Sequence, residues 1–142
     1  MTRVDFYVLE PPSAAGHDRM MCRIVEKAWQ QGHAVYVQCA DDAQARAFDD
    51  LLWQFQDVSF VPHALTGEAG TDTPVVIGCA AVDNLQPDVL VNLAAAVPEL
   101  ASRYTRVIES AGYDDATRGA ARTRYRYYQE RGFPLNTHKV GR

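Results

Sequence analysis

Apolar residues along this chain fall in short dense runs, separated by stretches where apolar and polar positions recur three and four apart. Four runs, Phe6–Leu9, Ala34–Cys39, Val75–Cys79 and Val89–Leu93, are rich in β-branched and aromatic side chains and show little polar alternation. That is the pattern of strands covered on both faces. Ser59–Val61 and Thr105–Glu109 read as two weaker strands. Asp18–Gln31 places Met21, Ile24, Val25, Ala28 and Trp29 at helical spacing and runs into Gly32, a natural stop. Asp42–Phe55 opens on an Asp-Asp pair suited to a helix start, with Ala43, Ala47 and Leu51 inward and Phe48 and Leu52 at the margin of that face. Pro98–Tyr104 reads as a short helix with proline in its first turn, and Ala116–Arg131 as a helix ended by Gly132.

Strands alternating with helices predict an α/β fold: a mostly parallel sheet flanked by helices, in a mononucleotide-binding, Rossmann-like architecture. With 142 residues, one domain spanning positions 1–142 has enough chain for a core. Such sheets usually bind phosphate through a glycine-rich turn after the first strand. Here that place holds Glu10-Pro-Pro-Ser-Ala-Ala-Gly16, where two prolines remove donors and a carboxylate would oppose phosphate. Neither G-x-G-x-x-G nor G-x-x-x-x-G-K-[ST] occurs, so the expectation is this architecture without a nucleotide site and without a cofactor.

Catalytic patterns are missing too. The histidines, His17, His33, His63 and His138, are scattered, and His63 after Val61-Pro62 reads as a loop histidine bonded to backbone. No pair of His or Cys has metal-ligand spacing. Asp114-Asp115 reads as a helix cap rather than a catalytic pair. Cys22, Cys39 and Cys79 are expected to be buried, reduced thiols of a cytoplasmic protein. The opening residues lack a signal-peptide pattern, and no run approaches the roughly 18 apolar residues of a membrane span.

Charge then changes the picture. Residues 118–142 hold seven basic side chains against one acid, a formal +6, while residues 1–117 carry −10. Wound as a helix, 116–131 puts Arg118, Arg122, Tyr125, Arg126 and Gln129 on one face. Arg124 falls among the inward Ala120, Ala121, Tyr127 and Tyr128, where it must snorkel or pair with a carboxylate. Arginines repeated at spacing four repel one another along a helix, which argues for a partner that uses them. Guanidinium groups around a tyrosine suit carboxylates or phosphates. A compact patch on an otherwise acidic chain favours a short acidic peptide over a direct single-stranded DNA binder or a nucleotide-using enzyme.

The stretch Asp50-Leu-Leu-Trp-Gln-Phe-Gln-Asp-Val-Ser-Phe-Val-Pro-His-Ala-Leu-Thr-Gly-Glu68, with Arg122-Thr-Arg-Tyr-Arg-Tyr-Tyr-Gln-Glu-Arg-Gly-Phe133, resembles the chi subunit of bacterial DNA polymerase III holoenzyme. Phe6–Leu9 and Pro74-Val75 fit the same pattern. The resemblance implies a small α/β subunit of the clamp-loader assembly, with no catalysis of its own. It implies two partners: the psi subunit, and the acidic C-terminal tail of single-stranded DNA-binding protein, which ends in Pro-Phe. Carried onto this sequence, Arg118, Arg122, Tyr125, Arg126 and Gly132 fall where that tail is held. Trp53, Phe60 and Pro62 fall on the psi-facing side. From the residues alone, Trp53 and Phe60 read equally well as ordinary core.

Overall fold

The computed structural model describes residues 2–55, 61–68, 73–80 and 88–141. The dense apolar runs become the middle of a sheet: β1 Arg3–Glu10, β2 Val35–Gln38, β3 His63–Leu65, β4 Val75–Gly78, β5 Val89–Asn92, β6 Arg106–Ser110 and β7 Leu135–Gly141. Its order is β3-β4-β2-β5-β6-β1-β7, and every pairing is parallel. Parallel neighbours need crossovers. α1 Ala14–Gln30 joins β1 to β2, α2 Asp42–Phe55 follows β2, and α3 Asp115–Glu130 joins β6 to β7.

Successive strand side chains point to opposite faces, and both faces are covered. Val35, Val37, Ile77, Val91 and Ile108 pack with Met20, Met21 and Val25 of α1 and with Phe48 and Leu52 of α2. Contrary to expectation Ala43 and Ala47 are exposed, because α2 is rotated to bury Ala45, Phe48 and Leu52. The alternate residues Tyr36, Val76, Leu90 and Val107 pack with Val4, Phe6, Tyr104 and the α3 residues Ala121 and Tyr128. The result is three layers: among the described residues α1 and α2 lie on one face, and α3 with Ala101 and Tyr104 on the other.

Several expectations shift. α1 starts at Ala14 rather than Asp18, because the Ser13 hydroxyl accepts the Gly16 N–H at 3.0 Å and caps it earlier. The small residues there carry no apolar period to reveal the extra turn. Pro98–Tyr104 yields only a 3-10 turn, Ala101–Arg103, too short to propagate as an α-helix. In the predicted strand Ser59–Val61, Ser59 and Phe60 lie outside the described residues; Val61 is buried but not in a strand, and β3 begins at His63. β7 has no counterpart in the apolar pattern. Along it only Leu135 and Val140 are half-buried, and among the described residues its sole neighbour is β1. Of the cysteines, Cys22 and Cys39 are buried, with their thiols pushed up to about 12, burial being the main cause. Cys79 is exposed, contrary to expectation, and its thiol donates to Asp42 at 3.4 Å.

Candidate functional site

The start of α3 is fixed by its own short side chains. Asp114 caps the helix: its carboxylate accepts the Thr117 N–H at 2.8 Å, and the Thr117 hydroxyl accepts the Asp114 N–H at 3.1 Å. The bonds from Thr117, with Arg118 nearby, hold the Asp114 carboxyl below its ordinary value. Gly112 precedes the cap at φ +85°, and a Cβ there would meet Thr117 C at 2.6 Å and Arg118 N at 2.8 Å. Only glycine lets the loop lie this close to the helix start.

Arg124 sets the rotation of α3 on the sheet. It is 6% exposed and pairs with fully buried Glu109 of β6, Nε to Oε1 at 2.8 Å. Its Nη1 donates to the Ala95 carbonyl at 2.9 Å and its Nη2 to the Ser110 carbonyl at 3.2 Å. The other Glu109 oxygen accepts the Tyr128 hydroxyl at 2.7 Å and the Asn92 amide at 3.0 Å. Burial pushes the Glu109 carboxyl above its ordinary value, against the pull of Arg124, Tyr128 and Asn92. Of the two expectations for Arg124, pairing rather than snorkelling holds. With Arg124 inward, Arg122 lies two residues back, about 200° round the helix, and must point away from the sheet.

Outside, α3 and the β1–β7 edge enclose a cleft of about 570 Å³. Its lining includes Phe6 and Val8 of β1, Thr137 of β7, and Arg118, Arg122 and Tyr125 of α3. Tyr125 stands edge-on to Phe6 at 5.2 Å, giving the cleft an aromatic wall. Arg122 is exposed and Arg118 half-buried. Among the described residues neither pairs with an acid of the chain within 4.0 Å, nor does Arg126. Glu10 also lines the cleft, with Lys139 Nζ 3.8 Å away. Arg126 is exposed on the flank of α3 and Gly132 ends the helix at φ +77°; neither borders the cleft. Arg131 is spent within the chain, its guanidinium 3.9 Å over the Tyr127 ring. An apolar trough with two guanidinium groups on its rim can hold a short apolar segment that carries carboxylates.

Trp53 is 51% exposed, the one large apolar side chain so exposed among the described residues, which excludes the core reading for it. Its ring lies 4.6 Å from that of His63. Pro62 is half-buried beside them in sequence, and Phe60 lies outside the described residues. His63 is bonded to backbone as expected, Nδ1–H donating to the Val61 carbonyl at 2.7 Å, but it is buried and opens β3 rather than lying in a loop. Burial raises the Asp49 carboxyl, with His63 Nε2 at 3.4 Å acting to lower it.

A further cleft of about 460 Å³ lies at the carboxyl ends of β5 and β6, where folds of this kind hold nucleotides. Its polar groups face one another: His17 Nε2 and Ser110 Oγ lie 2.8 Å apart, and Asn92 is tied to Glu109. Burial, and more weakly Arg124, lower the His17 pKa against Asp18. Among the described residues no group of three His, Cys, Asp or Glu could hold a metal ion, and no helix is long and apolar enough to cross a membrane.

Residues 1–136 match the family model described as DNA polymerase III chi subunit, HolC. A Pseudomonas aeruginosa protein named DNA polymerase III subunit chi is 39% identical over 142 residues, covering 100% of this chain and 99% of its own. Proteins of the same name from Haemophilus influenzae and Escherichia coli are 35% and 32% identical, each covering 96% of this chain and 96% and 97% of their own. Among solved structures, the crystal structure of T4 UvsW superposes with a TM-score of 0.65 at 10% identity, over 99% of this chain and 42% of that one, a likeness of fold alone. From the family match and these three relatives, the chain belongs to the chi-subunit family of DNA polymerase III.

Proposed function

We propose that this DNA polymerase III subunit is a non-catalytic adaptor of the clamp-loader assembly, working in the cytoplasm at the replication fork. On this reading the α3 cleft holds the acidic C-terminal tail of single-stranded DNA-binding protein, and the side bearing Trp53, Phe60 and Pro62 meets psi. The observation that carries it is the cleft itself: Arg118 and Arg122 flank an aromatic trough and have no ion pair of their own among the described residues. The tail's terminal carboxylate meets Arg122 or Arg118, its Pro-Phe end lies against Tyr125 and Phe6, and Arg126 draws the upstream acids from the flank. Gly132 serves only by ending the helix that presents them.

Capture by the immobilised chain separates the possibilities. Intact single-stranded DNA-binding protein is expected to be retained, and the same protein lacking its acidic tail to pass through. Equal retention of both would remove the tail from the interaction.

The sheet edge behind the cleft supplies a pH prediction. Asp5 is 2% exposed and bonds Arg3 at 3.2 Å, Arg106 at 2.6 Å and His138 at 2.9 Å. Burial alone would raise its carboxyl, but His138, Arg106 and Arg3 together hold it below its ordinary value. A carboxylate with a lowered folded pKa contributes stability that is present above its unfolded value, about pH 4, and is lost as pH falls through the folded one. Thermal unfolding followed from pH 6 down to pH 2 should show a steep acid loss of Tm, shallower in Asp5→Asn.

A further inference from the structure

α1 carries cations at a regular step, Arg19, Arg23 and Lys27, four residues apart and so about 6 Å along the helix. In sequence they are interleaved with Asp18 and Glu26 and look like an ordinary solvated face. The fold sorts them. Arg19, Arg23 and Lys27 line one cleft of about 440 Å³ between α1 and the β1–β7 edge, while Asp18 and Glu26 are not part of its lining. All three are exposed, and among the described residues none pairs with an acid. The opposite wall supplies Arg106, whose Nη2 donates to the Tyr7 hydroxyl at 2.8 Å. Asp5 compensates this wall, but it is one buried carboxylate shared between two guanidinium groups and a histidine. Among the described residues no carboxylate side chain lines the cleft itself.

Between the α1 cations and Arg106 lie apolar side chains, Leu9, Met20, Ile24 and Val140, and the ring of Tyr7, which is backed by His138 at 4.8 Å and 26°. We propose that this cleft binds the phosphate backbone of single-stranded nucleic acid, with bases laid against the apolar and aromatic strip. Evenly stepped cations on one wall of a cleft follow a chain of evenly stepped anions. The Tyr7 ring and the aliphatic strip suit base faces, which an acidic peptide does not offer. The site is separate from the α3 cleft, because Tyr7 and Leu9 of β1 point to the opposite face of the sheet from Phe6 and Val8.

Fluorescence anisotropy of a labelled oligothymidylate with the full chain at low salt tests it. Binding is expected, with log Kd rising with log salt concentration. In Arg19→Gln/Arg23→Gln/Lys27→Gln the slope should shallow by about one for each cation removed, and binding should weaken about tenfold or more. Arg46→Gln, which removes an exposed charge from α2, should leave binding unchanged. The triple variant should still bind the acidic tail peptide, which shows that it is folded. No binding by the native chain at low salt, or a triple variant that binds as well as native, would each overturn the proposal.

Discussion

Arg124→Ala is expected to lower the free energy of unfolding by roughly 3–5 kcal/mol, read from urea denaturation at neutral pH, because it leaves a buried carboxylate without its cation. Glu109 is fully buried and holds Arg124, Tyr128 and Asn92 together beneath α3. Removing the guanidinium also frees the Ala95 and Ser110 carbonyls that it satisfies. The pH dependence identifies the cause. Burial already pushes the Glu109 carboxyl up, and without Arg124 it rises further. A carboxyl with a raised folded pKa favours folding below its unfolded value, about 4.3, and costs stability as pH climbs through the folded one. The loss in Arg124→Ala should therefore be smaller near pH 5 than near pH 8. Adding Glu109→Leu to Arg124→Met should recover most of it, since apolar replacement of a whole buried pair is often neutral or better. A uniform loss across pH, unrelieved by the double change, would mean that Arg124 contributes packing rather than charge.

Arg122→Ala should weaken binding of a peptide ending in Asp-Ile-Pro-Phe by about tenfold or more, the cost of one hydrogen bond to a charged group. Arg122 is exposed, so its removal should leave Tm nearly unchanged, and binding and folding can be read apart. Tyr125→Ala should also weaken the peptide, through the trough it shares with Phe6. The two losses differ in kind. That of Arg122 should shrink as salt screens the native pair, while that of Tyr125 should persist. Titration calorimetry at two salt concentrations reads both. If neither variant changes the affinity, the tail is held elsewhere on the molecule.

The same physics decides which parts of this fold could be read from sequence. β2, β4 and β5 stood out because strands covered on both faces carry unbroken apolar runs. β7 did not, because an edge strand paired only with β1 keeps polar residues at Asn136, Thr137, His138 and Lys139. The outward face of α3 was legible from arginines at spacing four with almost no acid among them. The acid that anchors Arg124 was not, since Glu109 sits on β6 and meets α3 only through the crossover. Trp53 read equally well as core or surface; its exposure follows from where α2 faces away from the sheet, which local pattern does not determine. Arg19, Arg23 and Lys27 were visible as residues, but their isolation from Asp18 and Glu26 depends on which side of α1 meets β1.

β1 separates two cationic clefts by the thickness of one sheet, with Phe6 and Val8 on one side and Tyr7 and Leu9 on the other. Two such basins, back to back across a medium of low polarisability, share a single electrostatic potential. An anion settling in either one makes the other less attractive, and thermodynamic reciprocity makes the penalty equal in both directions. At low ionic strength the molecule would therefore hand over one polyanion as it takes up another, and at high ionic strength it would carry each without regard to the other.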